Sequence, residues 1–395
     1  MLLGDRLNEQ RNASDLTEAE VGDALRVPPE LVSAWETGAS MPSTRLLDEL
    51  AHLYRVSARS LLGLDETADH RDRSVFFRNA GDSPSTRLEV GRWLDFLDRW
   101  AELLEDLGES LPGLGAPPPE LDRGEVVTDL SQAPTLAMEV RDYYNLGAIS
   151  TPDLCAFLDA HDVLVYRLPQ GSPAAMNSGV SGAFYNHPKL GYSVLVNAGT
   201  SRGRQAFTLA HEYCHALFHY DKGGLISSIN RRGDPLEAFA NQFAGHFLVP
   251  ATELQSMSDV EPTAFDVMHL AAYFRVSYRL MLVRLWQEEL ISWETYESHS
   301  EWSPRWLAER FGLNPCEFEV PTAAVGETER YPASVLRRAR RAVEHGDLTP
   351  SQAAGLLEVD VVSLQFDLLA EPAPATADES EAEKEFDALF YEPSF

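Results

Sequence analysis

The chain has 395 residues, 44% of them apolar, and a formal net charge of -30. That length implies two to four domains, at roughly 100–200 residues each. A chain this acidic repels the DNA backbone on average, and no window approaches the roughly 18 uninterrupted apolar residues of a membrane span, so no membrane partner is expected.

The N-terminal stretch MLLGDRLNEQRNAS shows no basic region followed by an apolar one, so no secretory signal is expected and the expected compartment is the cytoplasm. Cys155, Cys214 and Cys316 lie far apart without a CxxC pair, which fits a reducing environment. Residues 1–63 read as a compact helical unit. The run Leu16–Leu25 has an N-cap candidate in Thr17, with Glu20 three residues on. Pro28–Gly38 opens with prolines suited to a first helical turn and closes on a glycine C-cap.

The pieces RLNEQR, LTEAEVGDAL, SAWETG and LLDELAHLYRVS resemble the XRE-type helix-turn-helix family, chiefly through Trp35-Glu36-x-Gly38. In such domains the second helix of the motif enters the major groove with its N-terminal residues at base edges. By that resemblance the DNA-facing positions are Pro29, Glu30 and Ser33, with Pro28 before them. None is cationic or an amide, and Glu18 stands where the family usually carries Gln. Six arginines face ten acids in this segment, a net of -4. DNA binding through residues 1–63 and a protein-docking or homodimerising role therefore both stay open.

A linker near Leu64–Arg73 leads to a helical connector over residues 74–145, with a long amphipathic run from Arg87 to Gly108. Three short Val- and Tyr-rich segments follow: Asp162–Pro169, Ser181–His187 and Tyr192–Ala198, the last two joined by a hairpin. The fold class expected is α+β and mostly helical, with a small sheet leading into the helix that contains HEYCH. Residues 300–370 read as a helical C-terminal domain, and residues 371–395 as a disordered acidic tail. The cluster Arg337, Arg338, Arg340 and Arg341 reads as a solvated helix face, or as a contact for nucleic acid or the tail.

His211 and His215 are four apart, so on a helix both imidazoles can reach one metal. Glu212 beside them suits the base that takes a proton from metal-bound water. A third ligand decides whether this is a site. His219 fails, because His211 to His219 spans about 12 Å of helix rise; it reads as an outer partner or core residue. Gly233–Pro250 reads as a helix capped by Asp234, with Glu237, Asn241 and Gly245 on one stripe beside the apolar one. Glu237 is then either the third ligand or the partner of Asp234 in a capping box. Asn241 could hold a ligand histidine in its tautomer.

The blocks RGRQAFTLAHEYCHALFH, LEAFANQFAGHFLVP and LAAYFRVSYRLMLVRL resemble the ImmA/IrrE metallopeptidase family over about residues 140–290. The resemblance implies a zincin-like domain, placed at residues 146–295, in which His211, His215 and Glu237 hold the metal and Glu212 is the catalytic base. It implies Zn2+, with Mn2+ permitted by a His2Glu set. It also implies a regulatory peptidase that cleaves or inactivates a protein partner, a transcriptional repressor. Cys214 stands where the family favours Gly, and could be a redox sensor, an extra soft ligand or a small buried residue. His246 and Tyr192 are candidates for the oxyanion donor. The strand Tyr192–Ala198 is a candidate for pairing with an extended substrate. The second reading is a DNA-binding regulator whose metal site is structural or sensory.

Overall fold

The computed structural model describes residues 2–64 (except 55 and 57), 84–108, 118–168 (with breaks at 119, 124–125, 148 and 152), 181–219, 234–257 and 261–365 (with breaks at 316–317, 321–325 and 327). The expected linker beyond Leu64, Cys316 and the expected tail at 371–395 lie outside the described residues. The described part contains eighteen α-helices and one three-stranded sheet, the mostly helical α+β class expected. The chain divides into two compact units, Met1–Arg338 and Ala339–Phe395.

The first unit begins with five helices: α1 (Leu3–Ala13), α2 (Glu18–Leu25), α3 (Pro29–Glu36), α4 (Thr44–Tyr54) and α5 (Ala58–Leu62). Thr17 and Glu20 form the capping box expected of α2, and Gly38 adopts φ +75° beyond the end of α3. Val21, Val32, Trp35 and Leu53 form part of this segment's core. Glu36 is held inward by Arg11, whose Nε and Nη2 donate to its two oxygens at 2.7 and 2.9 Å. Pro28, Pro29 and Glu30 remain exposed, and Ser33 is half-buried.

The connector helix α6 (Pro84–Asp106) is buried far more completely than its amphipathic pattern suggests. One side meets the N-terminal helices. There Leu88 joins their core, Arg92 pairs with Glu49 at 2.5 Å, and His52 pairs with Asp95 at 2.5 Å. Its other side meets the sheet, where Trp93 Nε1 donates to Ser193 Oγ at 3.0 Å and Asp98 pairs with His187 at 3.0 Å. Its rings lie on the sheet side, with Trp93 against Tyr185 and Phe96 against Tyr166, so the helix is covered by two neighbours rather than one.

Next come α7 (Ala133–Tyr143), α8 (Leu154–Ala160), and the strands β1 (Leu164–Leu168), β2 (Gly182–His187) and β3 (Gly191–Asn197). The order is β1-β3-β2: β1 pairs parallel with β3 from Leu164↔Ser193 to Leu168↔Asn197, and β2 pairs antiparallel from Gly182↔Val196 to His187↔Gly191. β3 is buried throughout, as a central strand must be. Two long helices lie beyond it, α9 (Arg202–Phe218) and α10 (Pro235–Leu248). The apolar stripe of α10, including Phe239, Phe243 and Phe247, is fully buried with Phe218 and Leu217 of α9 in one core.

Arg141 of α7 clamps this core. It is fully buried and donates to the carbonyls of Gly147 at 2.7 Å, Ile149 at 2.5 Å and Phe247 at 2.5 Å. The last bond satisfies a carbonyl in the final turn of α10, which has no partner within the helix. Burial pushes the Arg141 guanidinium down to about 10. The helices α11 (Ala251–Met257), α12 (Ala264–Phe274), α13 (Tyr278–Gln287), α14 (Trp293–Ser300) and α15 (Pro304–Arg310) follow. Near the end of this unit, at the start of α16 (Ala333–His345), Arg337 reaches Asp159 at 3.5 Å.

The second unit takes in the rest of α16 together with α17 (Pro350–Leu356) and α18 (Val361–Leu364) around buried Ala339, Ala353, Ala354 and Leu357. Arg340 of the basic cluster pairs with Glu344 at 2.7 Å along the helix.

Candidate metal centre

The helix α9 starts at an N-cap, Ser201 Oγ, which accepts from Arg204 N at 3.3 Å. From Thr208 to Phe218 every residue of it is buried. Helical spacing stacks His211 and His215 on one face, and their Nε2 atoms lie 3.2 Å apart. The helix α10 presents Glu237 to that face. Asp234 caps α10 by accepting from Leu236 N at 2.9 Å, and Glu237 turns to the histidines instead. Its Oε2 lies 3.3 Å from His211 Nε2 and its Oε1 3.7 Å from His215 Nε2. The three residues are buried, and one ligand atom from each lies within 4.8 Å of the others.

The donor spacing tests whether a metal fits. Bonds of about 2.0–2.1 Å at tetrahedral angles put donors about 3.3 Å apart. The 3.2 Å between the two nitrogens and the 3.3 Å from Glu237 Oε2 to His211 Nε2 match that, while the other carboxylate oxygen, Oε1, lies 3.7 Å from His215 Nε2. Two imidazoles and one carboxylate also suit a catalytic site, which keeps a fourth position for water or substrate. His211 Nδ1 donates to Asn241 Oδ1 at 3.0 Å, which turns its Nε2 lone pair toward the trio.

The electrostatics of the pair are divided. Burial opposes a charge on His211, yet the Glu237 hydrogen bond, the Glu212 and Glu237 charges and Asn241 outweigh it and raise its pKa. Burial, then His211 and His219, push His215 well below its ordinary value.

Residues 158–285 match the family model described as the IrrE N-terminal-like domain, and residues 2–62 match one described as a helix-turn-helix domain. The chain carries an IrrE-like peptidase domain behind an XRE-type helix-turn-helix domain. The family is of metallopeptidase type. Among its relatives is the phage-like element PBSX protein XkdA of Bacillus subtilis (strain 168), 29% identical over 142 residues, or 35% of this chain and 65% of that protein. Another is the HTH-type transcriptional regulator ImmR of the same organism, 33% identical over 75 residues, or 19% of this chain and 59% of that protein. The chain thus spans less than two thirds of the length of either relative.

Within the IrrE-like domain Glu212 is fully buried and lies against β2. A Cβ on Gly182 would stand 2.9 Å from Glu212 Oε1 and 2.4 Å from Thr208 Cγ2, so only glycine lets the strand approach here. No sequence signal singled out Gly182.

Other expected positions fall elsewhere. Cys214 is fully buried in the core beside Leu217 and Ala216, outside the His-His-Glu group. Burial, then the Glu212 and Glu237 charges, raise its thiol pKa well above the ordinary value. So buried, Cys214 packs as a small apolar residue. His246 does not turn to the trio. It lies nine residues beyond Glu237, about 13 Å along the helix, and its ring meets Arg284 of α13 at 2.9 and 3.3 Å. Burial, then the Arg284 charge, lower His246 to about 4. Tyr192 packs in the core with its ring 5.4 Å from Phe184.

The strand 192–198 cannot add a substrate strand. It is central, with β1 on one edge and β2 on the other, so its backbone groups are already paired. Among the described strands β1 and β2 are the two edges of the sheet, and β2 is the one that lies against Glu212. Sequence alternation shows which faces are apolar but not strand order, because order is set by non-local pairing.

Among the described residues, no helix is long and apolar enough to cross a membrane.

Proposed function

We propose that this protein is a metal-dependent endopeptidase that regulates transcription by cleaving or inactivating a protein partner, a transcriptional repressor. The observation that carries the proposal is the buried convergence of His211, His215 and Glu237, at donor spacings that suit a metal, beside Glu212. A divalent ion there, Zn2+ or alternatively Mn2+, would polarise a bound water and a peptide carbonyl. Glu212 is the base that receives the proton, and Asn241 orients His211 through its Nδ1–H.

The attached helix-turn-helix domain supports the regulatory part of the reading, as does a relative that is itself named a transcriptional regulator. We assign residues 1–63 to partner recognition, 74–145 to the connector, 146–295 to the peptidase and 300–370 to a C-terminal helical domain. For residues 1–63 we favour docking to protein over DNA. Arg11 is engaged by Glu36, Arg6 Nε is bonded to the Leu61 carbonyl, and the exposed start of α3 offers Glu30 rather than a cation.

The test compares protein N-termini in cells that carry the wild-type chain with cells that carry Glu212→Gln, each holding equal metal. A repressor fragment found with the wild type and missing with Glu212→Gln is expected. Full regulatory function in the Gln form would rule out proteolysis.

A further inference from the structure

We infer that His219, though no ligand, sets the tautomer of His215 by relaying it to the backbone carbonyl of Val127. This rests on the proposal that His211, His215 and Glu237 hold a metal. His219 is the residue after the last turn of α9, and is fully buried. Its Nε2 lies 2.7 Å from Val127 O and its Nδ1 2.8 Å from His215 Nδ1.

The direction of both bonds follows from the carbonyl. A carbonyl oxygen can only accept, so His219 Nε2 carries the hydrogen. In the neutral ring Nδ1 is then a lone pair, and the only way to close 2.8 Å is for His215 Nδ1–H to donate to it. That leaves His215 Nε2 as a lone pair pointing to His211 Nε2 and Glu237, the form a metal requires. The apolar setting against Phe239, 5.5 Å between ring centroids, favours the neutral form of His219. His211 reaches the same state through Asn241, so each histidine has its own outer partner.

Val127 is fixed in turn. Its N–H donates to Phe218 O at 3.3 Å, and its side chain is buried in the core, so the carbonyl is held from two sides. Val127 precedes the family-matched span of residues 158–285. The metal centre therefore extends beyond that span, and depends on the segment leading into α7.

The experiment measures Zn2+ affinity of the full chain by competition with a chelator, for wild type, His219→Phe and His219→Gln, each checked for native circular dichroism. Phenylalanine keeps the packing and removes both bonds. Glutamine offers one acceptor for His215 and one donor for Val127. Loss of an outer partner costs about 10–100-fold in metal affinity. The expected result is a loss of that size for Phe, with Gln binding at least about tenfold tighter than Phe. Wild-type affinity in the Phe form, or equal weakness in both folded variants, would overturn the relay. The ring 15N shifts of His215 in the metal-free wild type provide a second reading that survives misfolded variants. A hydrogen on Nδ1 is expected, and a hydrogen on Nε2 overturns the inference. If the wild-type chain binds no Zn2+, the metal reading fails, while the 15N shifts still decide the relay.

Discussion

Glu237 Oε2 and His211 Nε2 meet at 3.3 Å across two helices that a stretch of more than ten residues separates in the chain. Nothing local demands that contact, because the N-terminus of α10 is already capped by Asp234. The carboxylate is placed there by the packing of α10 on α9 through Phe239, Phe243 and Phe218. Glu237→Ala is expected to lower Zn2+ affinity by more than about 100-fold, beyond the 10–100-fold of an outer partner. Metal analysis after dialysis checks it, and unchanged metal content would remove Glu237 from the ligand set.

Gly182→Ala should disturb the site through Glu212. Its Cβ would stand 2.4 Å from Thr208 Cγ2 and 3.1 Å from the Leu195 carbonyl, as well as pressing on Glu212. Overpacking of this kind costs about 1–3 kcal/mol. Thermal unfolding should show that loss, and peptidase activity should fall further than the stability loss explains.

Glu36→Ala should destabilise the helix-turn-helix segment. The Arg11–Glu36 pair is largely buried, with side chains 11% and 5% exposed, and Asn8 Nδ2 also donates to Glu36 at 2.5 Å. Breaking such a pair leaves a charge without its partner, at about 3 kcal/mol. Urea unfolding followed by circular dichroism, with hydrogen exchange of the amides in residues 3–62 to localise the loss, measures it; a loss under about 0.5 kcal/mol would contradict the buried-pair account.

Glu30 stands exposed at the start of α3. Glu30→Lys is expected to strengthen binding of a random DNA duplex and to steepen its salt dependence by about one unit of slope. Fluorescence anisotropy across a salt series provides the number. Tight, sequence-selective binding by the unaltered chain at physiological salt would show that DNA is its partner.

Glu319 bears on pH. Burial raises its pKa, partly offset by the bond it accepts from Tyr278 N at 2.9 Å. An acid whose folded pKa lies above its unfolded one binds more protons in the folded state, so stability falls as pH rises between the two. Glu319→Gln should therefore stabilise the protein at neutral pH, with the gain vanishing below the ordinary carboxylate range. Denaturation at several pH values checks both the sign and the window.

Much of this protein is legible in its chain order. Thr17 with Glu20, Asp234 with Pro235, and the prolines before α3 announce helix starts by local hydrogen-bonding needs that any context shares. The period of four between His211 and His215 places two imidazoles on one face wherever the helix sits, and the same spacing excludes His219 as a ligand of that metal. Richness in Val and Tyr also marks the three strands.

Tertiary structure alone decided the rest, because it depends on contacts between segments distant in sequence. It brought the Glu237 carboxylate to the histidines rather than leaving it in a capping box. It set β3 at the centre of the sheet, which removes its edge from any substrate. It turned His246 to Arg284, buried Cys214 among apolar neighbours, and brought the Val127 carbonyl to His219. The Asn241 side of the support of HEYCH was legible in the sequence, but a backbone carbonyl leaves no trace in residue identity, so the Val127 side could be seen only once the chain was folded.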